Sequence, residues 1–103
     1  MKIIKRSGSE AVYDSNKIIA AVQKANASVI DYEKLSDEQI KEIADNVETA
    51  CENMKRSPRV EEIQDMVENQ LMDIKAHDVA KHYITYRYVQ SLKRQTNTTD
   101  ERI

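Results

Sequence analysis

Three polar features of this chain lie where their chemistry asks for a partner. Lys5 and Arg6 end a short apolar run at the N-terminus, and Lys17 follows early in the next segment. A turn resting on a helix N-terminus would bring these cations beside free backbone N–H groups, an arrangement suited to phosphate. Gln64 falls in line with Val60, Val67 and Leu71 at helical spacing, and an amide on an apolar face needs a hydrogen-bond partner. Arg87 aligns with Ala80, Tyr83 and Ile84 in the same way. Each feature also has a plainer explanation. Cations guard the edge of a hairpin, an amide at a stripe's margin bonds a neighbouring helix, and an arginine snorkels to water. Spacing alone leaves open whether the three converge on one pocket.

The remaining candidates for chemistry are weaker. His77 and His82 are five residues apart, on different faces of a helix, and not at the i, i+4 spacing of a zinc pair. Cys51 sits within an apolar stripe, where a thiol behaves as a small hydrophobe, and no base accompanies it. The carboxylate pairs Asp37-Glu38 and Glu61-Glu62 fall in first helical turns, where they complement the helix dipole. Neither a catalytic constellation nor a metal site is expected.

The elements that must position these groups follow from composition and pattern. The 103 residues provide for one domain, with 40% apolar and 33% charged residues. One Gly, one Pro and no Trp or Phe favour long helices over a turn-rich β fold. A formal net charge of -2 is a poor footprint for nucleic acid, so no direct nucleic-acid binding is expected. No apolar run approaches the roughly 18 residues of a membrane span, and the N-terminus lacks a signal-peptide core. A single Cys excludes an internal disulfide, and a cytoplasmic protein is expected.

Two extended runs, around Lys2–Arg6 and Glu10–Tyr13, flank a turn carrying the only Gly and predict a β-hairpin. Asp14 or Ser15 caps a first helix carrying Ile18, Ile19, Val22, Ala25 and Val29. Ser36 with Gln39 forms a capping box ahead of Ile40, Ile43, Ala44, Val47, Ala50, Cys51 and Met54. Ser57-Pro58 breaks that helix and opens a third, with Val60, Ile63, Val67, Leu71 and Ile74 on its stripe. A fourth starts near Asp78 and carries Val79, Ala80, Tyr83, Ile84 and Tyr88 towards Leu92; from Gln95 the chain turns polar and reads as a tail or linker. The expected fold is α+β, mostly α: a hairpin lid over four helices.

Three blocks of sequence resemble a known family in the right order. Ile3-Ile4-Lys5-Arg6-Ser7-Gly8 followed by Val12-Tyr13-Asp14 and Lys17-Ile18 is similar to the opening of the ATP-cone domain. Val60-Glu61-Glu62-Ile63-Gln64-Asp65-Met66-Val67-Glu68 resembles its V-E-E-I-Q-D-x-V-E block, and Val79-Ala80-Lys81-His82-Tyr83-Ile84-Thr85-Tyr86-Arg87 its V-A-K-x-Y-I-x-Y-R ending. The resemblance implies an allosteric site for ATP or dATP, with Mg2+ accompanying the phosphates, that controls the activity and oligomeric state of ribonucleotide reductase in deoxyribonucleotide synthesis. By position, it puts Lys5 and Arg6 at the phosphates and the first strand's backbone near the adenine. Ala11, Val12, Tyr13, Asp14, Ser15, Asn16 and Lys17 would wrap the base, with Asp14 and Lys17 as the polar contacts. Val60 and Gln64 would lie by the sugar and base, and Arg87 would reach a phosphate.

The departures are Ser7 in the turn, Ala11 where some members are acidic, and Val60 and Gln64 where aerobic reductases often have Thr and His or Asp. The Y-I-x-Y-R ending looks like the anaerobic ribonucleoside-triphosphate reductases or a related repressor, whose zinc-ribbon cysteines are missing ahead of these blocks. The resemblance therefore implies a regulatory domain at 1–94 and, at 95–103, the start of a linker to a catalytic domain of the same reductase. By itself such a piece is not an enzyme. The alternatives are the sensor of a transcriptional regulator, or a degenerate cone serving as a helical interaction module.

Overall fold

The computed structural model describes residues 1–101, with side chains through Lys93. Strands β1 (Lys2–Ile4) and β2 (Glu10–Val12) pair antiparallel, with Lys2 opposite Val12, Ile3 opposite Ala11 and Ile4 opposite Glu10. The turn between them is closed by the Lys5 N–H on the Ser9 carbonyl (2.8 Å) and the Gly8 N–H on the Lys5 carbonyl (2.9 Å). Gly8 has φ 89°, a conformation that a Cβ would strain, which explains the position of the only glycine.

Four helices follow: α1 (Ser15–Asn26), α2 (Asp37–Asn53), α3 (Val60–Asp73) and α4 (His77–Glu101). The starts of α1 and α2 follow the sequence signals. Asp14 caps α1, its carboxylate accepting the Asn16 N–H at 3.0 Å. Ser36 and Gln39 exchange the two bonds of a capping box at α2, 3.2 and 2.9 Å. Between α1 and α2 lies a short 3₁₀ turn, Asp31–Glu33, that no sequence signal announced. Asn26 pins this loop by gripping both the N–H and the carbonyl of Leu35, at 2.8 and 3.0 Å. The turn from α3 to α4 is a Schellman motif, with Lys75 at φ 62° and the Ala76 N–H on the Leu71 carbonyl.

Three boundaries differ from expectation. Pro58 does not open α3; it is buried in the connection, and the helix starts two residues later. Val29 lies beyond the end of α1 yet is buried. The backbone of α4 continues to Glu101 where a tail was expected from Gln95. No Gly or Pro follows Leu92 to stop it, and extending a formed helix through ordinary polar residues costs little per residue. Residues 102 and 103 of the expected linker lie outside the described residues.

The helices run up-down-up-down, α1 and α3 each packing on α2 and α4. Val22, Ile40, Val47, Val67, Leu71 and Val79 are fully enclosed at the centre. Consecutive antiparallel helices put the N-termini of α1 and α3 at the same end, together with the later part of α4. The hairpin is covalently joined to that end through Asp14. The outer part of the expected stripes faces water: Ala50 is exposed on α2, Ile74 on the cap of α3, and Ile84, Tyr88 and Leu92 on α4. Four helices around one axis bury only a narrow seam on each, and these residues are off the seam. Leu71→Ala should therefore cost about 3 kcal/mol in urea unfolding, whereas Ile84→Ala should stay within about 0.5 kcal/mol.

Candidate functional site

The hairpin does not stand free as a lid. The Ile4 N–H donates to the Pro58 carbonyl at 2.9 Å, and Ile4 forms a parallel bridge with Arg59. The outer edge of β1 is thus stitched to the two residues before α3. At the hairpin's open end, the Tyr13 N–H meets the Met1 carbonyl at 2.7 Å. The Tyr13 ring packs on the core, its hydroxyl 3.5 Å from the Ala44 carbonyl of α2. Burial, followed by the proximity of Cys51 and the α2 carboxylates, pushes the phenol well above its ordinary value. Tyr13 is an anchor between hairpin and bundle; in its segment, Val12, Asp14, Asn16 and Lys17 are exposed, and Ala11 and Ser15 half-buried.

The four cations singled out in the sequence divide into two pairs. Among the described residues, Lys5 and Lys17 are exposed and make no ion pair. Arg6 and Arg87 are engaged. Arg6 Nε lies 3.6 Å from Glu61 Oε1, and Arg87 Nη1 lies 2.8 Å from both Asp65 Oδ1 and Glu68 Oε1. Burial opposes the Arg87 charge, but the hydrogen bonds to Asp65 and Glu68 outweigh it and hold the guanidinium protonated. The three carboxylates recur at i, i+4 and i+7, forming one row about 10 Å long on α3.

On the same turns of α3, Val60 is half-buried at the first helical position. Gln64 follows one turn later. Its Oε1 is buried and has no hydrogen-bond partner, the only such side-chain atom among the described residues. A buried acceptor left unpaired costs about 1–3 kcal/mol, so this site retains an unmet demand for a donor. The structure therefore sets Arg6 of the hairpin turn and Arg87 of α4 against carboxylates of α3, the helix that carries Val60 and Gln64. Lys5 accompanies Arg6 in the hairpin, and Asp14 and Lys17 sit at the start of α1, at the same end of the bundle.

Sequence reasoning missed the acidic row. Glu61 was legible only as a dipole partner, and nothing in the spacing of Asp65 and Glu68 named the arginines that reach them from other elements. It also missed the part played by Glu62, which receives Arg56 in a bidentate pair (2.7 and 2.5 Å) and the Arg59 N–H at 3.1 Å. These contacts fix the start of α3 beneath the hairpin. Elsewhere, burial pushes the Cys51 thiol up and leaves it a poor nucleophile, and His77 and His82 are exposed. No group of three or more His, Cys, Asp or Glu side chains suited to a metal occurs among the described residues. A shallow groove of about 360 Å³ lies outside α3 and α4, lined by Glu68, Ile84, Arg87, Tyr88 and Ser91.

Glu62 gives the site an acid limit. The Arg56 hydrogen bonds, and then the Arg59 N–H, lower its carboxyl from 4.5 to about 2. A carboxyl depressed by folding stabilises the fold above its unfolded value and loses that contribution as pH falls through the folded one. The stability advantage of the parent over Glu62→Gln should thus be complete above pH 4.5 and shrink towards pH 2. Denaturant unfolding of both proteins across that range checks this; a constant difference would contradict it.

The comparisons with known proteins agree with this architecture. The family model for the ATP cone domain matches residues 1–92. The vitamin B12-dependent ribonucleoside-diphosphate reductase of Thermoplasma acidophilum is 38% identical over 84% of this chain, and the match covers 11% of that protein. The ribonucleoside-diphosphate reductase subunit alpha of Chlamydia trachomatis is 30% identical over 97% of this chain and 10% of its own length. The anaerobic ribonucleoside-triphosphate reductase of Haemophilus influenzae is 32% identical over 90% of this chain and 13% of its own length. The chain thus spans about a tenth of the length of the curated relatives it matches. With the hairpin, the four helices and the three sequence blocks in register, the chain belongs to the ATP-cone family.

Proposed function

We propose that this chain is an allosteric nucleotide sensor that binds ATP or dATP under its hairpin and reports the occupancy to a ribonucleotide reductase. The observation that carries the reading is the orphaned Gln64 Oε1, set on α3 between residues engaged by Arg6 and Arg87. A nucleotide satisfies both halves of such a site. Its phosphates meet Lys5, Arg6, Lys17 and Arg87, whose charge-assisted bonds are the strong kind. Its base or sugar supplies the N–H or O–H donor that a carbonyl acceptor requires. The N-terminal turn of α1, capped by Asp14, adds the positive end of a helix dipole.

Mg2+ would arrive with the phosphates, since it needs an octahedral oxygen shell that phosphate and water supply more readily than carboxylates already paired with arginine. The Y-I-x-Y-R block ending at Arg87 supports placing the chain in an anaerobic ribonucleoside-triphosphate reductase, a type that stands among the relatives beside the B12-dependent reductase and the subunit alpha. There, residues 1–94 would form the cone and 95–103 lead to the catalytic part. The chain itself does no chemistry in this reading; it biases activity and assembly from the cytoplasmic pool of adenine nucleotides. No helix among the described residues is long and apolar enough to cross a membrane.

Calorimetric titration with ATP, dATP and GTP, with Mg2+ present, tests the reading. Saturable binding of the adenine nucleotides over GTP is expected, and Lys5→Ala and Lys17→Ala should each weaken it about tenfold. Gln64→Leu should weaken binding as well while unfolding at an equal or higher urea concentration, because it removes the unpaired acceptor. Folded parent protein that binds no adenine nucleotide would leave a degenerate cone, for which Ala11 in place of an acidic residue is the sequence argument.

A further inference from the structure

The acidic row of α3 has no place in a site described only as a phosphate clamp. Glu61, Asp65 and Glu68 lie on one face, and between them they hold two of the four cations assigned to the phosphates. The pairs differ in strength. Arg6 and Glu61 are separated by 3.6 Å with side chains about a third exposed, a contact that water screens well. Arg87 is clamped by two carboxylates at 2.8 Å, and its side chain is 22% exposed. Lys5 and Lys17 are held by no carboxylate among the described residues.

We propose that the Glu61–Asp65–Glu68 row is a built-in competitor for the nucleotide's phosphates, an autoinhibitory contact that holds Arg6 and Arg87 until a polyanion displaces it. The proposal rests on the nucleotide reading of the site. Phosphate and carboxylate are alternative partners for the same guanidinium forks, and both cannot be served at full strength. An incoming triphosphate is also repelled by whichever carboxylates it uncovers. Lys5 and Lys17 make the first contact, and the arginines change partner afterwards.

The exchange has a structural consequence. Losing the Arg6–Glu61 pair unties the hairpin turn from the first turn of α3. Losing the Arg87 pairs removes a link between α3 and α4, beside the exposed side chains of Ile84 and Tyr88. Occupancy is thereby converted into a loosened side-chain link between α3 and α4 around Arg87, while their buried seam stays packed. The row also raises the nucleotide concentration at which the site fills.

Calorimetric titration of the 103-residue chain with ATP and with inorganic tripolyphosphate tests the competition. The variants are Glu61→Gln, Asp65→Asn and their double mutant, all at exposed or half-exposed positions, so the part-buried Glu68 is left intact. Asp37→Asn, at the far end of the bundle, controls for net charge. Circular dichroism confirms equal helicity. Each row variant should bind ATP and tripolyphosphate about threefold more tightly than the parent, and the double mutant about tenfold. The control should bind as the parent does. Parent binding with row variants no tighter than the control overturns the competition while leaving the nucleotide site standing. Failure of every protein to bind either ligand overturns the nucleotide site and the competition with it.

Discussion

A two-stranded hairpin of three-residue strands is not stable on its own in water, and everything at this site depends on how that deficit is met. The answer is the bond from the Ile4 N–H to the Pro58 carbonyl, with the bridge from Ile4 to Arg59 beside it. It uses the free edge of β1 and fixes the hairpin to the residues that introduce α3. Tyr13, sunk against α2, holds the other strand's exit. Between these two anchors the Lys5–Gly8 turn has only one place to go, over the first turns of α3. Pro58 suits its position because it has no N–H to satisfy, while its carbonyl faces the strand. Glu62 then fixes the helix start from below by taking the Arg59 N–H and Arg56 together.

The consequence for charge is a division of the cations into exposed and paired ones on a nearly neutral protein. Lys5 and Lys17 are exposed, Arg6 and Arg87 rest on a row of carboxylates, and an unsatisfied amide oxygen sits among the arginine-bound turns of α3. Neutralised arginines cost the free protein less than two bare, part-buried cations would. The orphaned Gln64 Oε1 is the exception among the buried side-chain nitrogens and oxygens of the described residues. Local rules are broken most often where a protein must bind something, and here the break falls on the helix that receives the hairpin.

Much of this was legible in the sequence, and the limits have physical causes. Capping by Asp14 and by Ser36 with Gln39 depends on neighbours a few residues away, and both caps formed where the spacing put them. The Gly8 turn and the buried faces of the four helices are likewise local patterns. Gln64 stood out because its residue type contradicted its position. What could not be read was pairing across elements. Arg87 meets residues 19 and 22 positions earlier, and Arg6 meets a residue on another element; no periodicity encodes either. Tyr13 shows the same limit: no spacing encodes the packing of its ring on the core beside the Ala44 carbonyl. The exposure of the outer stripe of α4 is not legible because helical spacing gives a face without giving its neighbour. The 3₁₀ turn at Asp31–Glu33 rests on Asn26 reaching nine residues ahead.

In the nucleotide reading, one end of the bundle, beneath the hairpin, is a single site. Two-dimensional NMR of the 15N-labelled chain, recorded through a titration with ATP and Mg2+, tests it most directly. Bound nucleotide should perturb only the Lys5–Gly8 turn, Asp14 to Lys17, the first two turns of α3 and the α4 turn around Arg87, with the 3₁₀ turn and the start of α2 unmoved. Perturbations centred on Asp31–Glu33 and the start of α2, with the hairpin silent, would contradict it.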